Sequence, residues 1–419
     1  MSDLKRFKLG DIIEDVAMGP FGSNLKVDNF ISIGVPVIRG GNLNQNGFDD
    51  KNFVFVSEEK AQSLKRSLAY PDDLVFTHRG TIGQVGIIEK TKYPYYLVSQ
   101  SQMRLTVNRQ FLNPRFLYYW FKSTTGQYEL LKNSAQVGVP AIASPTKSLK
   151  EIDISIPDLP TQIAISEILS SLDDKIELNN KINQELENLA QTIFKQWFID
   201  FEFPNENGEP YKSSGGEMVE SELGEIPKGW EVGTIYKISD VIYGAPFKSS
   251  LFNQENRGFP LIRIRDLKTF KPQYWTEEIH PKRTKIYAGD LIVGMDAEFR
   301  PQIWLGQEAW LNQRLCHFKP KAGFSKLFVR EIIRPQLAFF ENSSVGTTVI
   351  HLGKADIDTF KSIIPTERTL VTFEELSTSI FNDIINNSIE NQQLTNLRDT
   401  LLPKLISGEL EVSQIKTTS

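Results

Sequence analysis

Residues 161–199 read TQIAISEILSSLDDKIELNNKINQELENLAQTIFKQWFI, a stretch in which apolar side chains recur in alternating steps of three and four. A similar spacing returns between residues 373 and 405. This heptad pattern is typical of a helix that buries one narrow seam against a second helix. The seam positions are Ile165, Leu169, Leu172, Ile176, Leu186, Ala190, Ile193 and Trp197 in the first stretch, and Phe373, Ile380, Ile384, Leu394, Leu397, Leu401 and Leu405 in the second.

Asparagines occupy the middle of both seams. Asn179 and Asn183 lie in the register of the first stretch, and Asn387 and Asn391 lie in that of the second. A buried asparagine uses core volume poorly but fixes the register of paired helices. We therefore predict that the two stretches pair with each other as antiparallel helices. The alternative, two amphipathic helices that lie on separate domains, fits less well because each seam is long and narrow.

The rest of the chain is repeated as well. A mixed domain followed by a long helix fills residues 1–200, and the same plan returns over residues 230–410. Such internal repetition decides the architecture before any local motif does. The matching segments are Phe7–Gly10 and Trp230–Gly233, Gly34–Arg39 and Gly258–Arg263, Tyr70–Val75 and Tyr287–Ile292, Val137-Gly138 and Val345-Gly346, and Ile156-Pro157 and Ile364-Pro365.

Both repeats are predicted to be α+β domains. Short runs of β-branched and aromatic residues indicate strands at residues 35–39, 73–77 and 86–89. Residues 114–121 and 327–333 have the pattern of helices packed on a sheet. A polar segment rich in Gly and Ser predicts a flexible linker between the repeats, and the last residues predict a disordered tail. The predicted boundaries are 1–160 and 230–365 for the domains, 161–203 and 366–412 for the helices, 204–229 for the linker and 413–419 for the tail.

The net charge of −5 is distributed unevenly. Residues 1–160 carry +3 and residues 231–365 carry +5, whereas residues 161–230 carry −9 and residues 366–419 carry −4. Basic modules held apart by acidic connectors suit a polyanion that is bound at two places. Asymmetries of this size also arise by chance in many proteins, so the charge alone leaves both interpretations open.

The composition argues against several classes of protein. One cysteine, Cys316, gives no disulfide framework and fits the cytoplasm, and four scattered histidines give no metal-ligand spacing. No apolar run is long enough to span a bilayer, so no membrane association is expected. The sequence holds no phosphate-binding glycine loop, dinucleotide fingerprint or Asn/Asp-Pro-Pro-aromatic box. Asp158 followed by Asp173-Asp174-Lys175 looks like a nuclease set, but the latter three lie on the heptad helix, where no cleft forms.

Four segments resemble the specificity subunit of type I restriction-modification systems. They follow one another in the order of that family, and the resemblance covers nearly the whole chain. The start of the second helix, Pro365-Thr-Glu-Arg-Thr-Leu, departs from the fuller Pro-x-x-Glu-Gln start often seen in that family, which leaves its first residue open. The resembling segments are Leu223–Val232 before the second domain, Ile156–Gln162 and Ile168–Asp173 at the first helix, and Leu401–Leu410 at the C-terminal end.

The resemblance implies two tandem target-recognition domains separated by two long antiparallel coiled-coil helices, with a pseudo-twofold internal repeat. It implies a non-catalytic chain that reads a bipartite, asymmetric site on double-stranded DNA, with the helices as a ruler. The implied partners are two adenine methyltransferase subunits and motor-nuclease subunits. S-adenosylmethionine, ATP and Mg²⁺ would be bound by those partners, and this chain would bind no cofactor.

Two other hypotheses stay open at this point. The chain could be a methyltransferase or nuclease that carries its own recognition domains, although it lacks a cofactor or metal motif. It could also be a stand-alone regulator with two DNA-binding domains. Activity of the purified chain on DNA would favour the first, and a native pull-down without a methyltransferase subunit would favour the second.

Polar side chains on or near the glycine loops are the candidates for contact with DNA. Arg, Asn and Gln can make paired hydrogen bonds with base edges, whereas Lys more often contacts phosphate. For any single one of these polar side chains, a structural role in closing a turn or forming an ion pair is an equally good interpretation. The candidates are Arg39, Asn42, Thr77, His78, Arg79, Thr81, Gln100, Gln102 and Gln136 in the first repeat, and Lys248, Arg263, Arg265, Lys268, Arg300, Gln302, Gln313 and Arg314 in the second.

Comparison of the repeats refines these candidates. Arg39 and Arg263 occupy matching positions, which favours a shared phosphate contact or scaffold ion pair. At another pair of positions the repeats differ, with His78-Arg79 in the first repeat and Phe299-Arg300 in the second. Such a difference favours a role of these residues in sequence specificity.

Both helices end in a group of large apolar side chains. We predict that these groups are docking surfaces for the methyltransferase subunits, with packing inside the helix pair as an equally good alternative. The residues are Ile193, Phe194, Trp197 and Phe198 in the first helix and Leu401, Leu402, Leu405 and Ile406 in the second.

Overall fold

The computed structural model describes residues 4–44, 47–89, 92–135, 138–296, 298–342 and 351–414. The chain divides into two compact units. Unit 1 comprises Met1–Ile176 together with Gln393–Ser419, and unit 2 comprises Glu177–Gln392. Each unit therefore contains one globular repeat and a part of both long helices.

Unit 1 combines short strands with a few helices. Its strands are β1 (Lys5–Lys8), β2 (Ile13–Met18), β3 (Val35–Ile38), β4 (Leu43–Asn44), β5 (Gly47–Phe48), β6 (Val54–Val56), β7 (Leu68–Ala69), β8 (Leu74–Thr77), β9 (Val85–Ile87), β10 (Tyr96–Val98), β11 (Gln102–Val107), β12 (Ser134–Ala135), β13 (Ala141–Ile142) and β14 (Asp153–Ile156). Its α-helices are α1 (Glu58–Ser63), α2 (Pro114–Lys122), α3 (Thr124–Leu131) and α4 (Pro145–Lys150). They are followed by the first long helix, α5 (Leu159–Phe198).

Unit 2 uses the same kinds of element. Its strands are β15 (Met218–Ser221), β16 (Gly224–Pro227), β17 (Glu231–Thr234), β18 (Ser239–Tyr243), β19 (Phe252–Asn253), β20 (Phe259–Ile262), β21 (Tyr274–Thr276), β22 (Lys285–Ile286), β23 (Leu291–Gly294), β24 (Pro301–Ile303), β25 (Ala309–Leu311), β26 (Leu315–Pro320) and β27 (Lys361–Ile364). Its α-helices are α6 (Lys326–Asn342), α7 (Lys354–Ile357) and the second long helix, α8 (Glu367–Ile406).

The predicted internal repeat is confirmed by the sheet topology. Unit 1 has one sheet in the order β2-β11-β8-β9 and another in the order β6-β3-β10-β7. Unit 2 has the matching order β18-β26-β23-β24 and the order β19-β21-β20-β25-β22, in which β19 is an additional strand at the edge. In each unit one parallel pair, β3–β10 or β20–β25, lies among antiparallel neighbours. A separate two-stranded ladder, β1–β14 or β17–β27, joins the first and last strands of the globular part.

The cores form where a helix packs on a sheet and on the long helices. In unit 1, Phe116 and Phe121 of α2 are fully buried against sheet residues such as Phe76. In unit 2, Phe328 of α6 has the same place beside Phe318. These buried aromatic side chains confirm that residues 114–121 and 327–333 are helices packed on a sheet.

The asparagine seam predicted from the heptads is present within unit 2. The Asn179 side chain is fully buried, and its Nδ2 donates to Asn391 Oδ1 at 2.9 Å. Four residues on in α5, Asn183 Oδ1 accepts from Asn387 Nδ2 at 2.9 Å. The partner number falls as the α5 number rises, so the helices are antiparallel there.

The same antiparallel pairing holds within unit 1. Leu169 of α5 shares one buried cluster with Leu402 and Leu405 of α8. Asp173 accepts from Arg398 Nη1 at 2.6 Å and from the Tyr119 hydroxyl at 2.7 Å. Asp173 therefore fastens α5 to α8 and α2, which agrees with the structural interpretation of the nuclease-like set.

The long helices are shorter than predicted at their C-terminal ends. The first ends at Phe198 rather than 203, and Phe201 then adopts a φ of +59°, which a right-handed helix does not allow. The second ends at Ile406 rather than 412, and Gly408 follows with a φ of +72°. Glycine in this conformation is a common helix stop, because it has no Cβ to clash with the backbone.

The prediction of a flexible linker at 204–229 is wrong. β15 and β16 form a hairpin in this segment, and the Ile226 side chain is buried. The Tyr211 ring stacks on Phe203 at a centroid distance of 4.7 Å, and Phe203 stacks on Trp230 at 4.9 Å. The segment is polar in composition, but a few well-spaced apolar side chains are enough to fold it against the start of the second repeat.

Candidate nucleic-acid interface

In unit 1, the loops that follow several strands meet at one edge. Gly19 N–H, after β2, donates to Gln102 O at 2.8 Å. His78 N–H, after β8, donates to Ser101 O at 3.0 Å, and Ser99 N–H donates to Ile38 O at 2.9 Å. The loops 19–24, 39–42, 78–83 and 99–101 are thereby held side by side. We call this set of loops the loop edge of unit 1.

Unit 2 builds the same edge with its own strands. Gly244 N–H, after β18, donates to Leu315 O at 2.9 Å, and Met295 N–H, after β23, donates to Arg314 O at 2.8 Å. These bonds match those of Gly19 and His78. The described residues 244–248, 263–268, 295–296, 298–300 and 312–314 form the loop edge of unit 2.

One glycine in each unit allows the loops to come this close. A Cβ on Gly19 would lie 1.8 Å from Ser99 O, and a Cβ on Gly244 would lie 2.0 Å from Asn312 O. No side chain can be accommodated at such distances. The repeated glycine therefore marks a close backbone contact that organises both loop edges.

The sequence candidates in unit 1 separate into exposed and buried groups. Arg39, Arg79, Thr81 and Gln100 are exposed on the loop edge. Asn42, Thr77, His78 and Gln102 are buried beneath it. Gln136 lies outside the described residues.

Two of the buried candidates bond to each other under the loops. Gln102 Nε2 donates to Thr77 Oγ1 at 3.3 Å, and Thr77 Oγ1 donates to Gln84 Oε1 at 2.9 Å. The side chain of Ser99 also bonds to Gln102. These contacts favour a structural role for Thr77 and Gln102, which support the loops that carry Arg79 and Gln100.

His78 is also occupied internally. Its Nε2 lies 3.1 Å from Gln100 O, and its imidazole is 6% exposed. Burial lowers the pKa of His78, because a charged ring would lose its hydration. The side chain is therefore held neutral and positions the Gln100 loop.

Asn42 closes a turn in unit 1, and Asp266 closes the matching turn in unit 2. The Arg39 backbone N–H donates to Asn42 Oδ1 at 3.0 Å, and the Arg263 N–H donates to Asp266 Oδ2 at 2.8 Å. Asn42 is 3% exposed and Asp266 is 0% exposed. Since two different residue types do the same local task out of reach of solvent, a turn-closing role is favoured for Asn42.

Arg39 and Arg263 occupy matching positions at these turns, as the sequence predicted. Arg263 is half-buried, with its guanidinium 5.2 Å from the centre of the Tyr274 ring. This cation–π contact attaches Arg263 to the scaffold, whereas Arg39 is exposed, so the shared ion pair or phosphate contact stays a prediction.

Most of the remaining candidates in unit 2 are exposed. Lys268 pairs with Glu298 at 3.0 Å, and this hydrogen bond lowers the pKa of the Glu298 carboxyl. Arg300 lies 3.7 Å from Glu341. Gln302 is half-buried on β24. The exposed candidates are Lys248, Arg265, Lys268, Arg300, Gln313 and Arg314.

The predicted match of His78-Arg79 with Phe299-Arg300 is wrong. Arg79 forms a backbone bridge with Ala141, and the matching bridge in unit 2 joins Asp296 to His351. Phe299 is fully buried in the core of unit 2. The position of Arg79 is thus taken by Asp296, a residue of opposite charge, and the match of two arginines in sequence was misleading.

Two kinds of residue on the candidate interface were missed by sequence reasoning. Lys26 stands before the short 3₁₀ turn Val27–Asn29, as Lys248 stands before Ser249–Leu251, and both lysines are exposed. The loops that lead to them differ in length, which hid the match. Asp296 and His351 were missed because they come from segments that are distant in sequence.

The prediction that the apolar groups at the helix ends are exposed docking surfaces is wrong. Phe194, Trp197 and Phe198 belong to the core of unit 2, and Ile193 packs against it. The second group belongs to the core of unit 1 in the same way: Leu402, Leu405 and Ile406 are buried, and Leu401 packs against them. The groups do pack internally, but not within the helix pair alone, because the globular part of each unit covers them together with the other long helix.

Other apolar side chains of the first long helix are exposed. Leu178, Ile182 and Leu189 expose 52%, 40% and 47% of their surface. Their spacing of four and seven residues places them on one face of α5. A polar residue would be expected at such positions on an isolated surface, so this face is a candidate docking surface.

Within the described ranges, no cluster of three or more His, Cys, Asp or Glu side chains is arranged to hold a metal ion. No helix in the same ranges is long and apolar enough to cross a membrane.

Two repeated α+β units and two long helices define the class of this protein, and comparison with known proteins gives its family. Residues 1–188 match the type I restriction modification DNA specificity domain. The chain is 31% identical to the MjaIX specificity subunit of Methanocaldococcus jannaschii over 86% of this chain and 82% of the relative. It is 27% identical to the HindI specificity subunit of Haemophilus influenzae over 98% of this chain and 100% of the relative.

A solved structure supports the fold. The S subunit of a type I restriction-modification system from M. genitalium aligns with a TM-score of 0.57 at 14% identity, covering 96% of both chains. The chain belongs to the family of type I restriction enzyme specificity subunits, which recognise DNA sequence.

Proposed function

We propose that this chain is the non-catalytic subunit that reads a bipartite, asymmetric site on double-stranded DNA, with one half-site for each loop edge. The observation that carries the proposal is that one edge is built twice with different exposed side chains. Arg79 is exposed on the edge of unit 1. The matching residue in unit 2, Asp296, is half-buried and contacts the exposed Arg314 and His351, so the two edges offer different hydrogen-bonding groups. Different groups on equivalent frames suit two different half-sites.

The proposal includes a scaffold role. Two adenine methyltransferase subunits and motor-nuclease subunits would join the chain in the cytoplasm, and these partners would bind S-adenosylmethionine, ATP and Mg²⁺. The repeated plan of the chain supports two similar docking sites. The face of α5 formed by Leu178, Ile182 and Leu189 supports docking on a helix.

Mapping of methylated adenines tests the proposal as a whole. The chain is co-expressed with its neighbouring methyltransferase gene, and the host genome is sequenced for modified bases. A two-part motif with unequal halves is expected. A single undivided motif, or methylation by the purified chain alone, would favour one of the other hypotheses.

Replacing Arg79 or Lys248 separates base reading from backbone contact. Arg79→Ala is expected to relax discrimination at one position of one half-site by about 1–3 kcal/mol, because an arginine fork reads a base edge. Lys248→Ala should weaken binding about equally on all sequences and reduce the salt slope by about one. Equilibrium titrations of matched and mismatched duplexes at several salt concentrations measure both effects. Uniform loss of affinity in both variants would contradict the division of roles.

Leu189→Asp tests the docking face. We expect the variant to stay folded but to recruit fewer methyltransferase subunits, because a carboxylate would be buried in the interface. Native mass spectrometry of the co-expressed complex counts the subunits. Gln191→Asp is the matched control, since it adds the same charge on an exposed position of the same helix but on a different face. Equal recruitment by both variants would place the docking surface elsewhere.

A further inference from the structure

The loop edge of unit 2 carries a cluster that has no counterpart in unit 1. Asp296 follows β23, Arg314 lies between β25 and β26, and His351 precedes the segment that leads to α7. The His351 Nδ1 lies 2.6 Å from Asp296 Oδ1, and the Arg314 Nη1 lies 3.6 Å from the same oxygen. In unit 1 the three matching positions are held by Arg79, Ser101 and Ala141.

The contact distances decide which groups remain available. A carboxylate can only accept, so the 2.6 Å contact requires the proton on His351 Nδ1. Arg314 Nη1, at 3.4 Å from that nitrogen, then faces another donor and makes no hydrogen bond with it. The guanidinium of Arg314 therefore keeps its donors for a ligand, and Nε2 is the nitrogen that His351 can present outward.

The exposure of the side chains agrees with Arg314 and His351 being available to a ligand while Asp296 contacts them from below. Arg314 and His351 expose 55% and 57% of their side chains, whereas Asp296 exposes 24%. Asp296 lies under the two basic groups and holds them with its charge. The Asp296 carboxylate is turned toward Arg314 and His351. A carboxylate that faced DNA directly would repel phosphate.

The backbone of Arg314 adds a second, independent observation. Its φ is +73°, a left-handed conformation that is uncommon for residues other than glycine. The conformation fixes the direction in which the side chain leaves the loop. Residues held in such conformations often belong to binding sites, where a fixed direction is worth the local strain.

We propose that Asp296 is a positioning residue that sets Arg314 and His351 as a pair for reading a guanine in the half-site of unit 2. The proposal rests on the proposed function, and it names the base that one loop edge selects. A guanidinium fork matches the O6 and N7 acceptors of guanine in the major groove. In unit 1 the matching position holds Arg79 itself where unit 2 has the carboxylate of Asp296.

Selection from a randomised duplex library tests the proposal on the purified full chain. The wild type is expected to enrich a motif of two separate halves, one with a guanine column that depends on this cluster. Arg314→Gly should flatten that column, lowering the preference for guanine roughly tenfold or more. Glycine suits a φ of +73°, so the variant should melt at the wild-type temperature or above it.

Asp296→Asn separates positioning from simple structural support. It should weaken the preference at the same column without lowering the affinity for unrelated duplex, because the variant removes a negative charge. His351→Ala should affect this column or its neighbour. Arg79→Ala is the matched control, and it should alter only the other half of the motif.

The possible results separate failure of the proposed function from failure of the guanine-reading cluster. A wild-type selection without two halves would overturn the proposed function and this inference together. A two-part motif that Arg314→Gly and Asp296→Asn leave unchanged would overturn this inference alone. Equal loss of affinity on every sequence after Arg314→Gly would show a phosphate contact and would also overturn it.

Discussion

Phe194→Asp is expected to unfold unit 2, with a loss of about 5 kcal/mol in its free energy of unfolding. The Phe194 ring is 6% exposed and lies 5.2 Å from the Phe198 ring and 5.9 Å from the Phe328 ring. The substitution removes these contacts and leaves a carboxylate without a partner among aromatic side chains. Differential scanning calorimetry of the full chain measures the effect.

Leu189→Asp is the control for this experiment. It introduces the same charge on the same helix, but Leu189 is 47% exposed, so the cost should stay within about 0.5 kcal/mol. A similar loss in both variants would mean that α5 tolerates no carboxylate on any face. A small loss in Phe194→Asp would contradict the position of this ring in the core.

Glu187→Leu is expected to destabilise unit 2 by about 3 kcal/mol, because it removes two charge-assisted hydrogen bonds from the buried Arg330 guanidinium and leaves it with Glu331 at 3.9 Å. Arg330 of α6 exposes only 9% of its side chain, and its Nη2 donates to both Glu187 oxygens, at 2.9 and 2.7 Å. The pair joins α5 to the helix that packs on the sheet. Chemical denaturation with a fluorescence readout measures the loss.

The double variant shows which part of that loss is the unpaired charge. With Arg330→Met added to Glu187→Leu, most of the stability should return, because an apolar pair replaces the ion pair and the buried Glu331 keeps Arg334 at 3.2 Å. If the double variant were as unstable as Glu187→Leu alone, packing rather than charge would explain the effect.

Regular patterns made the pairing of the two long helices predictable from the sequence. The heptad spacing and the asparagines at 179, 183, 387 and 391 depend on local periodicity. The helices pair antiparallel through these asparagines, as predicted. The fold of residues 204–229 was missed because it depends on Phe203, Tyr211 and Trp230 meeting across a polar segment. Composition alone does not reveal such a long-range aromatic stack.

The candidate interface was predictable only in part. Polar residues on glycine loops did point to the loop edges, but a sequence does not tell an exposed amide from a turn-closing one, as Asn42 shows. The apolar helix ends were predicted to bind partner subunits. Helix periodicity does not show that the globular parts cover Phe198 and Leu405. The cluster at Asp296 depends on three separate segments and needed coordinates.

The short ladders that join the ends of each globular part have an evolutionary consequence. Lys5 pairs with Ile156 in unit 1, and Glu231 pairs with Ile364 in unit 2, so the chain enters and leaves each globular part at neighbouring points. A part with adjacent ends can be exchanged by recombination without disturbing the helices that flank it. Under the proposed function, exchange of one globular part would change the DNA sequence recognised by that part and leave the sequence recognised by the other part as it was.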